Sequence, residues 1–231
     1  MRLHRFYIST PVDGEQIKIA DEALVHQWRN VFRYAVGAQV VVFNGDGYDY
    51  LCMIGEIGNR SATLVLVSRK KSFIPEKKIA LAVSLIKKDN MEWIIEKATE
   101  LGVSQIFPII SERSEKKSLN LERAEKIAVE ASEQCGRGDV PEICKPQTLE
   151  VFLESGVADQ FESKIAFHPV ADEFSRAEVG QSAIFFIGPE GGFSDQEVEM
   201  FRQHGIGRRS LGKLILRTET AAIAILAALG I

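Results

Sequence analysis

Cysteine and histidine are both scarce in this chain, three and four residues out of 231. Cys52, Cys135 and Cys144 make neither an even set nor a C-x-x-C pair, and the histidines are scattered. The sequence therefore offers no basis for a disulfide framework or a zinc site, and we expect reduced thiols, no metal and a cytoplasmic protein. Long hydrophobic runs are missing too. The longest, Ala221–Ile231, has 11 residues, short of the roughly 18 a membrane span requires. The charged start Met1–Tyr7 has no apolar stretch behind it, so it does not read as a secretory signal. Neither G-x-G-x-x-G nor G-x-x-x-x-G-K-[ST] occurs, which removes direct support for a dinucleotide or nucleoside-triphosphate site. Strong positive charge is absent as well: the net charge is −4. What is present, 45% hydrophobic and 26% charged residues, is the composition of a globular protein able to bury a core.

The charge is unevenly placed. Residues 1–72 carry 9 Lys/Arg against 7 Asp/Glu, and the remainder 19 against 25. A contact with a polyanion is thus expected to concentrate in the first part. That part reads as short strands: Glu15–Ile19 alternates, Gln39–Phe43 is β-branched, and Asn44-Gly45-Asp46-Gly47 signals a hairpin into Tyr48–Ile57 and Ser61–Val67. One helix interrupts them, with Asp21 as cap and Ala23, Leu24, Trp28, Val31 and Phe32 at helical spacing. Strands, tight turns and one helix predict a small barrel. The polar, proline-broken stretch Arg69–Lys78 reads as the linker, giving domains 1–72 and 73–231.

Beyond it the texture alternates. Apolar strands are predicted at Ile79–Ile86, Val103–Ile110, Ile165–Phe167 and Ala183–Ile187. Helices are predicted around Met91–Leu101, Glu122–Cys135, from Leu149, after a capping box at Ser194/Glu197, and at Ala221–Leu229. This is the pattern of an α/β domain with a parallel sheet covered by helices. The last helix is apolar on every side, so it is expected to be buried all round, within the domain or against a second subunit.

Three segments could carry chemistry. Ile187-Gly188-Pro189-Glu190-Gly191-Gly192 lies between a buried strand and a capped helix. It is either a tight turn that needs positive φ or a cradle whose backbone amides approach a ligand. Leu211-Gly212-Lys213-Leu214-Ile215-Leu216-Arg217-Thr218-Glu219-Thr220-Ala221 sets apolar residues and a charged pair where the last helix starts, with Thr218 or Thr220 as its cap. Glu133-Gln134-Cys135-Gly136-Arg137 ends the long helix, Gly136 in the C-cap position. A fourth feature, Arg2, His4 and Arg5 beside Phe6 and Tyr7, combines cations and aromatics as RNA contacts do.

Taken in order, these segments resemble the RsmE family, uridine-N3 methyltransferases of 16S ribosomal RNA within the knotted SPOUT superfamily. Glu96–Val103, Ser111-Glu112-Arg113-Ser114 and Glu130–Arg137 agree with the same pattern, so the resemblance spans essentially the whole chain. It implies an N-terminal PUA-like β-barrel, a C-terminal SPOUT α/β domain with a trefoil knot, S-adenosylmethionine as methyl donor, and a homodimer acting on the small ribosomal subunit. By motif matching, the cofactor would be held by Phe167, His168, Pro169, Ile187, Gly188, Pro189, Glu190, Gly191, Gly192, Leu211, Gly212, Ile215, Leu216, Arg217, Thr218, Thr220 and Ala221. Arg217 would steady the uridine anion and Glu219 would be the base, while Arg2, Arg5 and Arg137 would meet RNA. The chain departs from the family where Leu119-Asn120-Leu121-Glu122-Arg123 leads directly into the long helix, without a tryptophan-containing stretch. The competing readings are ribose 2′-O-methylation and a noncatalytic assembly protein that binds ribosomal RNA.

Overall fold

A computed structural model describes residues 3–230. The chain forms two compact units, Met1–Ile74 with Ser132–Val140, and Pro75–Ala131 with Pro141–Ile231.

The first unit holds β1 (Arg5–Tyr7), β2 (Gln16–Ile19), α1 (Glu22–His26), β3 (Gln39–Phe43), β4 (Tyr48–Ile57) and β5 (Ala62–Lys71). The sheet order is β1-β3-β4-β5-β2, with β1 parallel to β3 and the other pairs antiparallel. Alternation buries Ile17 and Ile19 of β2, Val40 and Val42 of β3, and Leu64 of β5 around Phe6 and Trp28. The Asp21 carboxylate caps α1 by accepting from the Leu24 N–H at 3.0 Å. The predicted helix does not continue to Phe32 in α form: Gln27–Val31 widens to a π-helical turn, after which Arg33 takes φ 55°. The expected linker begins too early, because Arg69, Lys70 and Lys71 pair with Tyr50, Asp49 and Tyr48 in the ladder. Their polarity reflects a solvent-facing strand end, which composition does not separate from a loop.

Two arginines expected to meet RNA have another role. Arg5 donates from Nε to Asp49 Oδ1 at 2.9 Å, from Nη1 to the Ser132 carbonyl at 2.9 Å and from Nη2 to the Arg137 carbonyl at 2.6 Å. Its Cζ sits 3.5 Å from the Phe43 ring centroid, and its side chain is only 10% exposed. Arg137 is 3% exposed and bonds both oxygens of Asp139. Buried and bonded within the unit, neither guanidinium is presented to a phosphate. Arg2 lies outside the described residues.

The second unit contains β6 (Lys78–Ser84), α2 (Lys88–Glu100), β7 (Gln105–Ile110), α3 (Leu121–Cys135, its last turn counted with the first unit), β8 (Glu142–Ile143), β9 (Gln147–Thr148), α4 (Leu149–Glu154), β10 (Ser163–Phe167), β11 (Ser182–Ile187), α5 (Asp195–Gln203), β12 (Gly207–Arg209) and α6 (Thr218–Leu229). The sheet is parallel throughout, in the order β12-β10-β11-β6-β7-β8, with β9 also on β7. β6 and β11 are buried along nearly their whole length, as central parallel strands covered on both faces must be. Ala80, Ala82, Ile184 and Phe186 pack with Phe107, Phe152, Phe193 and Phe201, while α6 lies against β11 and α2. β12 escapes a sequence reading because Gly207-Arg208-Arg209 has no apolar alternation; it pairs as an edge strand.

The last helix is not enclosed all round within one chain. Ala221, Ala222, Ile225, Leu226 and Leu229 are buried, whereas Ile223 and Ala224 are half-buried and Thr220, Ala227 and Ala228 exposed. Among the described residues no helix is long and apolar enough to cross a membrane, and no cluster of metal-ligating side chains is found.

Candidate cofactor site

The carboxyl ends of β10, β11 and β12 are neighbours, and a cavity of about 490 Å³ opens there, the position at which parallel α/β sheets bind ligands. Its walls come from three segments that the sequence separates widely, Phe167–Val170, Ile187–Phe193, and Ser210–Leu211 with Leu214–Thr218 and Ala221, together with Arg113.

The glycine loop is shaped by close approach and by backbone sign. A Cβ on Gly188 would stand 3.2 Å from both the ring and the backbone nitrogen of Phe193. Gly192 has φ 67°, a region that disfavours side chains, and its N–H donates to the Pro189 carbonyl at 2.8 Å. Arg113, on the loop after β7, donates from Nη1 to the Gly191 carbonyl at 2.8 Å. Glu197 is buried and has three partners. It accepts from the N–H groups of Ser194 (2.8 Å) and Glu112 (2.9 Å), and its own N–H is capped by the Ser194 hydroxyl. The capping box read from the sequence thus also ties the loop after β7 to the start of α5.

The opposite wall is apolar and open. Leu214 and Ile215 are 81% and 84% exposed, and Gly212, with φ 115°, turns the chain ahead of them. Ser210 fixes that turn by donating to the Gly212 carbonyl and accepting its N–H. The first turn of α6 reaches back: buried Thr218 donates to the Gly188 carbonyl at 2.9 Å. Thr218 is therefore inside the helix, and Arg217 is its N-cap residue. At the third wall, His168 accepts the Val170 N–H on Nδ1 at 3.1 Å, so the neutral ring carries its proton on Nε2.

Phe167, His168, Pro169, Ile187 to Gly192, Leu211, Ile215, Leu216, Arg217, Thr218 and Ala221 come together on this cavity. Gly212, Thr220 and Glu219 are not on its wall. Glu219 is half-buried, and its Oε2 is buried with no hydrogen-bond partner among the described residues. Sequence reasoning assigned no role to Arg113, Val170, Phe193 or Ser210, which also line the cavity, and included Leu214 only as part of the Leu211–Thr220 segment. For Arg113 the signal was available, since Ser111-Glu112-Arg113-Ser114 was one of the matching segments.

The RNA methyltransferase domain family matches residues 74–230, and the RNA methyltransferase PUA domain family matches residues 29–67. A ribosomal RNA small subunit methyltransferase E from Rickettsia conorii is 31% identical over 98% of this chain and 95% of its own length. The chain belongs to the ribosomal RNA small subunit methyltransferase E family. Solved members of this fold superpose over nearly the whole chain. The methyltransferase E of Neisseria gonorrhoeae, bound to S-adenosyl methionine, gives a TM-score of 0.88 at 28% identity, covering 98% of this chain and 96% of that one. A protein from Legionella pneumophila, in complex with the bound cofactor SAM, gives 0.90 at 31% identity, covering 99% and 97%.

Proposed function

We propose that this family member uses S-adenosylmethionine to methylate N3 of a uridine in 16S ribosomal RNA of the small subunit. The observation that carries the reading is the cavity at the ends of β10, β11 and β12, with its glycine loop braced by Thr218 and Arg113. Its volume falls within the roughly 300–1,000 Å³ of small-ligand sites. Its composition fits the cofactor: apolar Phe167, Leu211 and Leu216 for the adenine ring, backbone groups of Gly188–Gly192 and Leu211–Leu216 for polar edges, and Glu190 at the rim for a cationic group.

When bound there, the cofactor would supply an electrophilic methyl group. The chain's own residues would bind and orient the two reactants and handle a proton, because uridine N3 must lose its proton to attack. Arg217 is exposed on the cavity wall, where a guanidinium can stabilise the developing uridine anion. Glu219, two residues on and off the cavity wall, has a carboxylate oxygen with no donor among the described residues, which leaves it free to receive a proton.

The trefoil knot and the homodimer belong to the same reading. After β12 at the sheet edge, Ser210 bonds to Asp172 and Phe174, and the chain then returns to β11 in the sheet interior. This path supports a threaded terminus. The apolar strip of α6 left open to solvent, half-buried Ile223 and Ala224 with exposed Ala227 and Ala228, on a helix that packs against α2, supports a second copy as its cover. A cytoplasmic location follows from the substrate.

The test is calorimetry with S-adenosylmethionine, followed by methylation of purified small subunits and mass spectrometry of the digested RNA. Label on uridine N3 is expected. A 2′-O-methylated ribose, or no cofactor binding, would replace the reading.

A further inference from the structure

A second cavity of about 220 Å³ lies in the same unit, between the start of α2, the start of α3 and the loop that joins β7 to α3. Its floor is apolar and buried: Leu85, Ile86 and Met91 are at most 2% exposed. Its rim is cationic. Lys88 and Arg123 converge on Glu92, at 3.7 and 3.2 Å, and Lys116 adds a third positive charge against that single carboxylate. The Leu119–Arg123 stretch that departs from the family pattern forms part of this wall.

We propose that this slot is a nucleobase subsite on the catalytic unit, holding one unpaired base of the substrate RNA while Lys88, Lys116 and Arg123 face its flanking phosphates. The inference rests on the reading of the chain as an RNA methyltransferase and adds a place where the substrate is held. Three observations support it. The slot is smaller than the roughly 300 Å³ minimum of sites for whole small ligands, and its apolar lining of Leu85, Ile86, Met91, Ile95, Leu119 and Ala124 is of the kind that grips extruded bases. The rim carries net positive charge in a unit whose overall charge is negative, which fits a polyanion. Finally, one loop serves both cavities. Arg113 lines the first and Lys116 the second, and three residues of chain span at most roughly 11 Å. A base in the slot would thus lie within a few nucleotides of one reacting in the first cavity.

The experiment measures methylation of purified small subunits by Lys116→Glu and Ala124→Met, alongside calorimetry with S-adenosylmethionine, co-sedimentation with subunits, and sedimentation of the protein alone. Ala124 is 1% exposed on the slot wall, so the longer side chain fills it; Lys116 is an exposed residue whose change leaves the core intact. Both variants are expected to raise KM for subunits about tenfold, the low end for one lost base contact. Turnover should stay within twofold and cofactor affinity should not change. Unaltered KM in Lys116→Glu overturns the subsite. So does a shift to monomer in either variant, which would make the slot a subunit interface. If the unmodified protein binds cofactor but leaves subunits unmethylated, the functional reading fails separately, and co-sedimentation still decides the slot: weakened binding by Lys116→Glu supports it and unweakened binding refutes it.

Discussion

The Thr218 hydroxyl donates to the Gly188 carbonyl across 30 residues of sequence, at 2.9 Å. This bond joins the first turn of the last helix to the glycine loop, so two cavity walls hold one another in place. Thr218→Val keeps the shape and deletes the donor, removing a part-buried hydrogen bond worth about 1 kcal/mol. A lower melting temperature and weaker S-adenosylmethionine binding are expected together by calorimetry. Unchanged affinity would mean the loop keeps its shape without α6.

Gly192→Val places a β-branched residue at φ 67°, a strain on the order of 1–3 kcal/mol. No neighbouring atom lies within 4 Å of the new Cβ, so the effect is one of backbone conformation rather than collision. We expect folded protein whose cofactor affinity falls at least tenfold; full affinity would remove the loop from the site.

Arg217→Ala should separate binding from chemistry. Among the described residues, no hydrogen bond from its guanidinium to the protein is found, so truncation breaks no internal hydrogen bond. If the group acts on the uridine anion, turnover should fall by about 10²–10³ with cofactor affinity nearly intact. Parallel loss of both would make it a cofactor residue.

Ala228→Glu sets a carboxylate on the exposed strip of α6. Analytical sedimentation should then show monomer where the parent shows dimer. A variant that still dimerises would move the interface elsewhere.

Thiol chemistry offers a check independent of function. Burial pushes the thiols of Cys52 and Cys144 up to about 11, with Glu142 adding to the effect on Cys144, whereas Cys135 is exposed. A raised pKa keeps a thiol protonated and unreactive until the pH approaches that value. At pH 8, iodoacetamide should therefore label Cys135 in the native protein and spare the other two. Peptide mapping that finds Cys52 labelled would contradict its burial.

The parallel sheet was legible because strand segments such as Ile79–Val83 and Ala183–Ile187 are uninterrupted apolar runs, a consequence of burial on both faces. The glycine loop was legible because backbone sign and close approach demand particular residues. Arg5 misled for a physical reason: its acidic partner Asp49 is 44 positions away, so nothing local marks it for burial, whereas the partner of Arg137, Asp139, stands two residues on and was legible. The polar end of β5 was hidden because an exposed strand and a linker share a composition. Arg113 was visible as a motif but not as a contact, since its partner Gly191 is 78 positions away.

The first unit is not contiguous in sequence, and this has a consequence during synthesis. Arg5 finds its carbonyl partners on Ser132 and Arg137, which a ribosome adding roughly 5–20 residues per second reaches only seconds after Ile74. In that interval the nascent sheet carries a guanidinium whose two backbone acceptors do not yet exist. The unit can complete itself only once β6, α2, β7 and all of α3 have been translated. A fragment ending near residue 72 should accordingly be a poor folder, whereas one extended past Val140 has every partner it needs.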